Sequence, residues 1–190
     1  MRPNSHALTV CDLIRPSSIW MEIPLLLSFN LLLVGCAYLT IHLPFLPVPV
    51  TAQTFGVLLV AMALGRVRGT AVVLAYLAEG AAGLPVFAGG KAGMVALAGP
   101  TGGYLLGFLA AAFVTGWLAD RGWDKGYIKS VGAMTLGTAL IFVCGLTQLS
   151  LFVPAESLSA MGFYPFIPGA LIKIAVAAVI LPSVWKFIRR

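Results

Sequence analysis

Two charges stand alone in long apolar runs. Glu79 is the one charged residue between Arg68 and Lys91, and Lys173 is the one between Glu156 and Lys186. An ionisable group at bilayer centre costs about 2.5–3.5 kcal/mol on insertion scales, so such residues usually face a cavity or a partner. The alternative for each is a place near a helix end, from which the side chain snorkels to water. Pro168 and Gly169 come shortly before Lys173. A helix starting there presents free N–H groups and a positive dipole end, which with the lysine suits a carboxylated ligand. Read as plain turn chemistry, the same two residues only start the helix.

The remaining reactive residue types form no constellation. Cys11, Cys36 and Cys144 fit no metal or redox spacing and read as small apolar residues in helices. His6 reads as a tail residue and His42 as an interfacial one. Gly90-Lys91-Ala92 lacks the upstream glycine and the hydroxyl residue of a phosphate-binding loop. There is no His-Glu-x-x-His, Gly-x-Ser-x-Gly or Cys-x-x-Cys. The chain therefore reads as no enzyme and as needing no cofactor. If ATP drives a process here, another chain must hydrolyse it.

The elements that position Glu79 and Lys173 follow from solvent. Hydrophobic residues make up 60% of the chain and charged ones 9%, against about 25% charged in a soluble domain. Lipid must cover most of the outside. Leu105–Val114 and Leu136–Val143 show no apolar–polar alternation, so helices and not barrel strands do the spanning. About six helices of roughly 20 residues fit the length.

Glu22 to Arg66 is free of charge. As one helix it would run on the order of 65 Å, twice the membrane, so Pro44, Pro47 and Pro49 must break it. The expected spans are 20–42, 51–64, 69–84, 101–119, 128–153 and 168–187, after a tail at 1–19. Val10–Ile14, interrupted by Asp12, is too short for a signal peptide. Gly103 and Gly107 predict close approach of another helix.

Orientation follows from the basic residues. Of the 12 lysines and arginines, Arg2, Arg15, Arg66, Arg68, Arg121, Lys125, Lys129, Lys186, Arg189 and Arg190 fall on one side, and only Lys91 in a loop of the other. The termini and the 2–3 and 4–5 loops are expected in the cytoplasm, in a multi-pass protein of the cell membrane. The net charge of +6 then reports topology and anionic lipid, with no nucleic-acid partner. The outer loops, 44–49, 84–99 and 163–169, are rich in glycine and proline, which let backbone approach a ligand and keep loops stiff.

Four stretches resemble one family in order. They are Pro47-Val-Pro-Val-Thr-Ala-Gln-Thr54, Gly83-Leu-Pro-Val-Phe-Ala-Gly-Gly90, Gly99-Pro-Thr-Gly-Gly-Tyr-Leu-Leu-Gly-Phe108 and Phe166-Ile-Pro-Gly-Ala-Leu-Ile-Lys173. Together they are similar to the BioY family, the biotin-specific S components of energy-coupling-factor (ECF) importers. The resemblance runs from about Phe45 to Ile174. It implies an all-α, six-helix membrane bundle holding biotin near the extracellular side. It also implies a transmembrane coupling subunit and a pair of cytoplasmic ATPases as partners.

Carried over by position, the resemblance implies that Lys173 helps to hold biotin and that Gln53, Thr101 and Tyr104 line the outer pocket. Gly89 stands where many relatives have a ligand-contacting asparagine, and Ala170 where they usually have an aspartate. Glu79 stands where relatives are usually apolar, at a depth comparable to Lys173, and is expected to share its cavity and supply the missing carboxylate. No Ala-x-x-x-Ala docking pair is found in the first helix; Cys36 and Thr40 have only the spacing. Other readings are an S component for a different carboxylated vitamin and an integral-membrane enzyme, which needs a reactive constellation. A stand-alone secondary transporter would show an inverted repeat.

Overall fold

The charge-free run between Glu22 and Arg66 folds back, as its length demands. The computed structural model describes Thr9 and residues 19–188. The expectations for His6, Cys11, Arg2, Arg15, Arg189 and Arg190, and for the tail apart from Thr9, lie outside the described residues. Helix α1 (Ile19–Tyr38) gives way to a two-stranded ribbon, β1 (Thr40–Ile41) against β2 (Val50–Thr51). Thr40 pairs with Thr51 and Ile41 with Val50, antiparallel. The three prolines lie in the bend between the strands. The ladder ends α1 before His42, where the hydrophobic run alone had extended it.

Helix α2 (Gln53–Ala81) is two limbs broken at Gly65, whose φ of 79° and ψ of −177° suit only glycine. The limbs pack on each other: a Cβ on Gly69 would lie 2.7 Å from the Ala61 Cα. They correspond to the second and third expected spans. The turn is held from α4, where both Asp120 carboxylate oxygens accept the Arg66 backbone N–H at 3.3 Å. Arg68 Nε reaches Glu22 Oε1 of α1 at 2.7 Å.

The chain continues through α3 (Met94–Ala98), α4 (Gly102–Asp120), α5 (Tyr127–Leu149), α6 (Ala155–Gly162) and α7 (Ile167–Ile188). The short helices α3 and α6 lie in segments that sequence patterning left without an element. Among the described residues, five helical stretches are long and apolar enough to cross a membrane, and the break in α2 makes six spans. At the α4–α5 crossing, a Cβ on Gly103 would lie 2.3 Å from the Cys144 carbonyl oxygen, and one on Gly107 3.0 Å from the Ile141 Cα. Small residues thus let two backbones meet, as their spacing predicts.

The core gathers Val57, Val60, Met62, Tyr76, Met134 and Ile141, all almost fully buried. The outer face is apolar too, with Leu31, Leu74, Leu106, Val143 and Ile172 exposed. Apolar residues on both faces are what a lipid solvent permits, provided the backbone bonds within its own helices. Cys36 is buried, Cys144 is half-buried, and both are free thiols.

Candidate ligand-binding cavity

The ribbon, the start of α2 and the glycine-rich loop before α4 meet over α5 and α7. They enclose about 750 Å³ of space, including the open mouth. Val48, Pro49, Thr51, Gln53 and Thr54 line it from the ribbon and α2, and Phe87, Ala88, Lys91 and Ala96 from the loop. The walls are Thr101, Tyr104, Leu105 and Phe108, then Thr138, Ile141 and Phe142, then Phe166, Ala170 and Lys173. Among the described residues, the lining holds two lysines and no carboxylate.

Lys173 comes from the second turn of α7 and crosses to the start of α2. Its Nζ donates to the Thr51 carbonyl at 2.5 Å and to Thr54 Oγ1 at 3.0 Å. An ammonium has three donors, so one remains for a ligand. This partly buried charge is held by neutral oxygens.

Gln53 lines the cavity while its amide serves the wall. Its backbone N–H donates to Thr51 Oγ1 at 3.2 Å, which fixes the start of α2. Its Nε2 donates to the Tyr76 hydroxyl at 2.5 Å, and that hydroxyl donates to the Val86 carbonyl at 3.0 Å. The Phe87 ring stands edge-on to Tyr76, with centroids 5.6 Å apart. It occupies the space left by the missing side chain of Gly80, where a Cβ would lie 2.1 Å from the ring. A polar chain and an aromatic plug thus tie the loop to α2.

Gln148 on α5 holds the other end of the loop. Its Nε2 donates to the Leu97 carbonyl at 2.9 Å and to the Gly99 carbonyl at 2.8 Å. Thr101 Oγ1 donates back to the Ala96 carbonyl at 3.3 Å. The Tyr104 ring packs on Gly145, where a Cβ would come within 2.3 Å, and its hydroxyl donates to the Gly162 carbonyl at 2.8 Å. Tyr104 therefore offers its ring to the cavity and its oxygen to α6.

The structure brings Gln53, Thr101, Tyr104, Ala170 and Lys173 together around one cavity. Glu79 and Gly89, also expected at the site, do not line this cavity. Glu79 Oε1 accepts a hydrogen bond from Asn30 Nδ2 of α1 at 3.2 Å. The reason is helical phase: Tyr76 and Gly80 turn toward Phe87, and Glu79, about 100° round the helix from Gly80, turns toward α1. Gly89 has φ 65°, and a Cβ there would meet His42 Cε1 at 2.8 Å, so its neighbour Ala88 lines the cavity instead.

Sequence reasoning passed over Thr51 and Thr54, which hold Lys173, although both lie in a quoted motif. Lys91 lines the cavity as well, and its signal in the sequence is a cation among glycines in an outer loop. Among the described residues, no cluster of His, Cys, Asp or Glu is placed to hold a metal.

A model of the BioY family matches residues 12–190. The chain is 42% identical over 153 residues to the biotin transporter BioY of Thermotoga maritima, covering 80% of this chain and 88% of that protein. It is 39% identical over 148 residues to the biotin transporter BioY of Rhizobium etli, covering 74% and 79%. Among solved structures it resembles the S-component for biotin from an ECF-type ABC transporter. The TM-score is 0.76 at 26% identity, covering 90% of this chain and 95% of that one. With its six spans and its cavity built from the same stretches that carried the resemblance, the chain belongs to the BioY family.

Proposed function

We propose that this chain is the biotin-binding S component of an ECF-type importer. It sits in the cell membrane with both termini cytoplasmic and its cavity facing out. The carrying observation is the cavity lining: two lysines, no carboxylate, several threonines and a wall of rings, in a chain whose relatives are biotin transporters.

Biotin has a fused ring with a ureido group, an apolar arm and a carboxylate. The rings of Tyr104, Phe108, Phe142 and Phe166 suit the bicycle and arm through apolar burial. The third donor of Lys173 and the hydroxyls of Thr101 and Thr138 suit a polar ring. Binding needs no nucleotide. Inward delivery then falls to a transmembrane coupling subunit and a pair of cytoplasmic ATPases, since this sequence carries no phosphate-binding loop.

The test is titration calorimetry on the detergent-purified chain without ATP. One biotin should bind per chain. A protein that carries another vitamin through purification and shows no heat with biotin would overturn the reading.

A further inference from the structure

We infer that Lys91, at the mouth of the cavity, takes the ligand's carboxylate, and that Lys173 serves the polar ring at the inner end. This rests on the biotin reading above and goes beyond it, because it fixes which way round the ligand lies and which residue selects for an acid.

The two lysines are not equivalent. Lys173 has two of its donors committed to Thr51 and Thr54. The Lys91 side chain is exposed and has no hydrogen bond or ion pair among the described residues, and no carboxylate in the lining neutralises it. Its backbone is nevertheless held on both sides. The Lys91 carbonyl accepts the Phe87 N–H at 3.0 Å, and the Gly93 N–H donates to the Gly80 carbonyl at 2.7 Å. Phe87 is buried beside Tyr76. A hydrogen-bonded backbone thus presents an exposed ammonium, unpaired among the described residues, at the mouth of the cavity.

Desolvation sets the orientation. A carboxylate left at the mouth keeps its water on one side and meets a free cation on the other. The same carboxylate driven inward would lose its water among Phe108, Ile141 and Phe142 for one remaining donor of Lys173. The fused ring gains apolar burial on entering, and its ureido group is compensated there by the free donor of Lys173 and the Thr138 hydroxyl.

The test compares biotin with its neutral carboxamide on the purified full chain, the Lys91→Gln variant and the Lys173→Gln variant. The parent should prefer the acid by about tenfold, the low end for a charge-assisted hydrogen bond. Lys91→Gln should erase that preference by weakening biotin alone. Lys173→Gln should weaken both ligands and keep the preference. A preference that survives Lys91→Gln, one lost instead in Lys173→Gln, or a parent that binds acid and amide alike would overturn the assignment. A parent that binds neither compound overturns the biotin reading itself, and this assignment with it. Lys91 lies in an exposed loop, so its variant tests binding and not folding.

Discussion

The Gln53 amide donates to the Tyr76 hydroxyl at 2.5 Å across the two limbs of α2. The same hydroxyl donates to Val86, at the start of the loop over the cavity. One phenol therefore joins the floor of the site to its cover.

Removing that oxygen should loosen the cover and leave the bundle standing. Tyr76→Phe keeps the ring against Phe87 and strands the Gln53 amide and the Val86 carbonyl. A cost of about 1–3 kcal/mol is expected for buried groups left unpaired. Biotin should dissociate faster, and thermal unfolding in detergent should fall. Gln53→Ala combined with Tyr76→Phe should cost less than the two changes separately, because both act on one chain of bonds. Unchanged dissociation and unfolding in Tyr76→Phe would show that the relay holds nothing.

Lys173 sits where its loss should be felt by any ligand of this cavity. Lys173→Ala should weaken biotin binding by about 1.5–3 kcal/mol, the worth of a hydrogen bond to a charged group. It also frees Thr51 and Thr54. Lys173→Arg should rescue only in part, since a planar fork replaces a compact ammonium. Equal stabilisation of parent and Lys173→Ala by biotin, in a thermal-shift series, would remove Lys173 from the site.

The spans were legible because lipid enforces them: the charge-free run had to fold back, and Arg66 and Arg68 marked where the next return fell. What positions side chains was less legible. Glu79 and Gly80 are adjacent in sequence, and only the packing of Phe87 onto Gly80 tells which of them turns inward. The end of α1 was misplaced because Thr40 and Ile41 are apolar enough for helix and are claimed by strand partners Thr51 and Val50. Lys173 could be read as buried and polar, but its partners Thr51 and Thr54 are distant in sequence and meet it only through tertiary structure.

Topology supplies an independent check. Arg66 and Arg68 follow the Gly65 break, and Arg121 and Lys125 lie in the α4–α5 turn, at the end of the bundle opposite the cavity, while Lys91 lies at its mouth. With Cys11, Cys36 and Cys144 replaced, a cysteine at position 91 should react with an impermeant maleimide added to intact cells. One at position 125 should react only after the membrane is opened. The opposite pattern would turn the cavity to the cytoplasm and end the uptake reading.

Asp124 should give the folded protein a pH dependence unrelated to the cavity. It lies in the turn between α4 and α5, fully buried. Its Oδ2 accepts the Trp185 Nε1–H of α7 at 2.5 Å, and its Oδ1 has no hydrogen-bond partner among the described residues. Burial pushes its carboxyl up to about 6, against the pull of the Trp185 bond and of Lys125, with Asp120 the nearby like charge. The unfolded chain titrates near the ordinary value of about 3.9, so the native state binds this proton more tightly. The resulting stability is full below pH of about 4, is lost as pH rises to about 6, and stays lost above; it is on the order of 3 kcal/mol. Asp124→Asn keeps an acceptor for Trp185 and carries no charge. Its thermal midpoint in detergent should therefore change less than the parent's between pH of about 4.5 and 7, and should exceed the parent's at the upper end. Parallel curves for the two proteins across that window would show that Asp124 enters the native state already ionised.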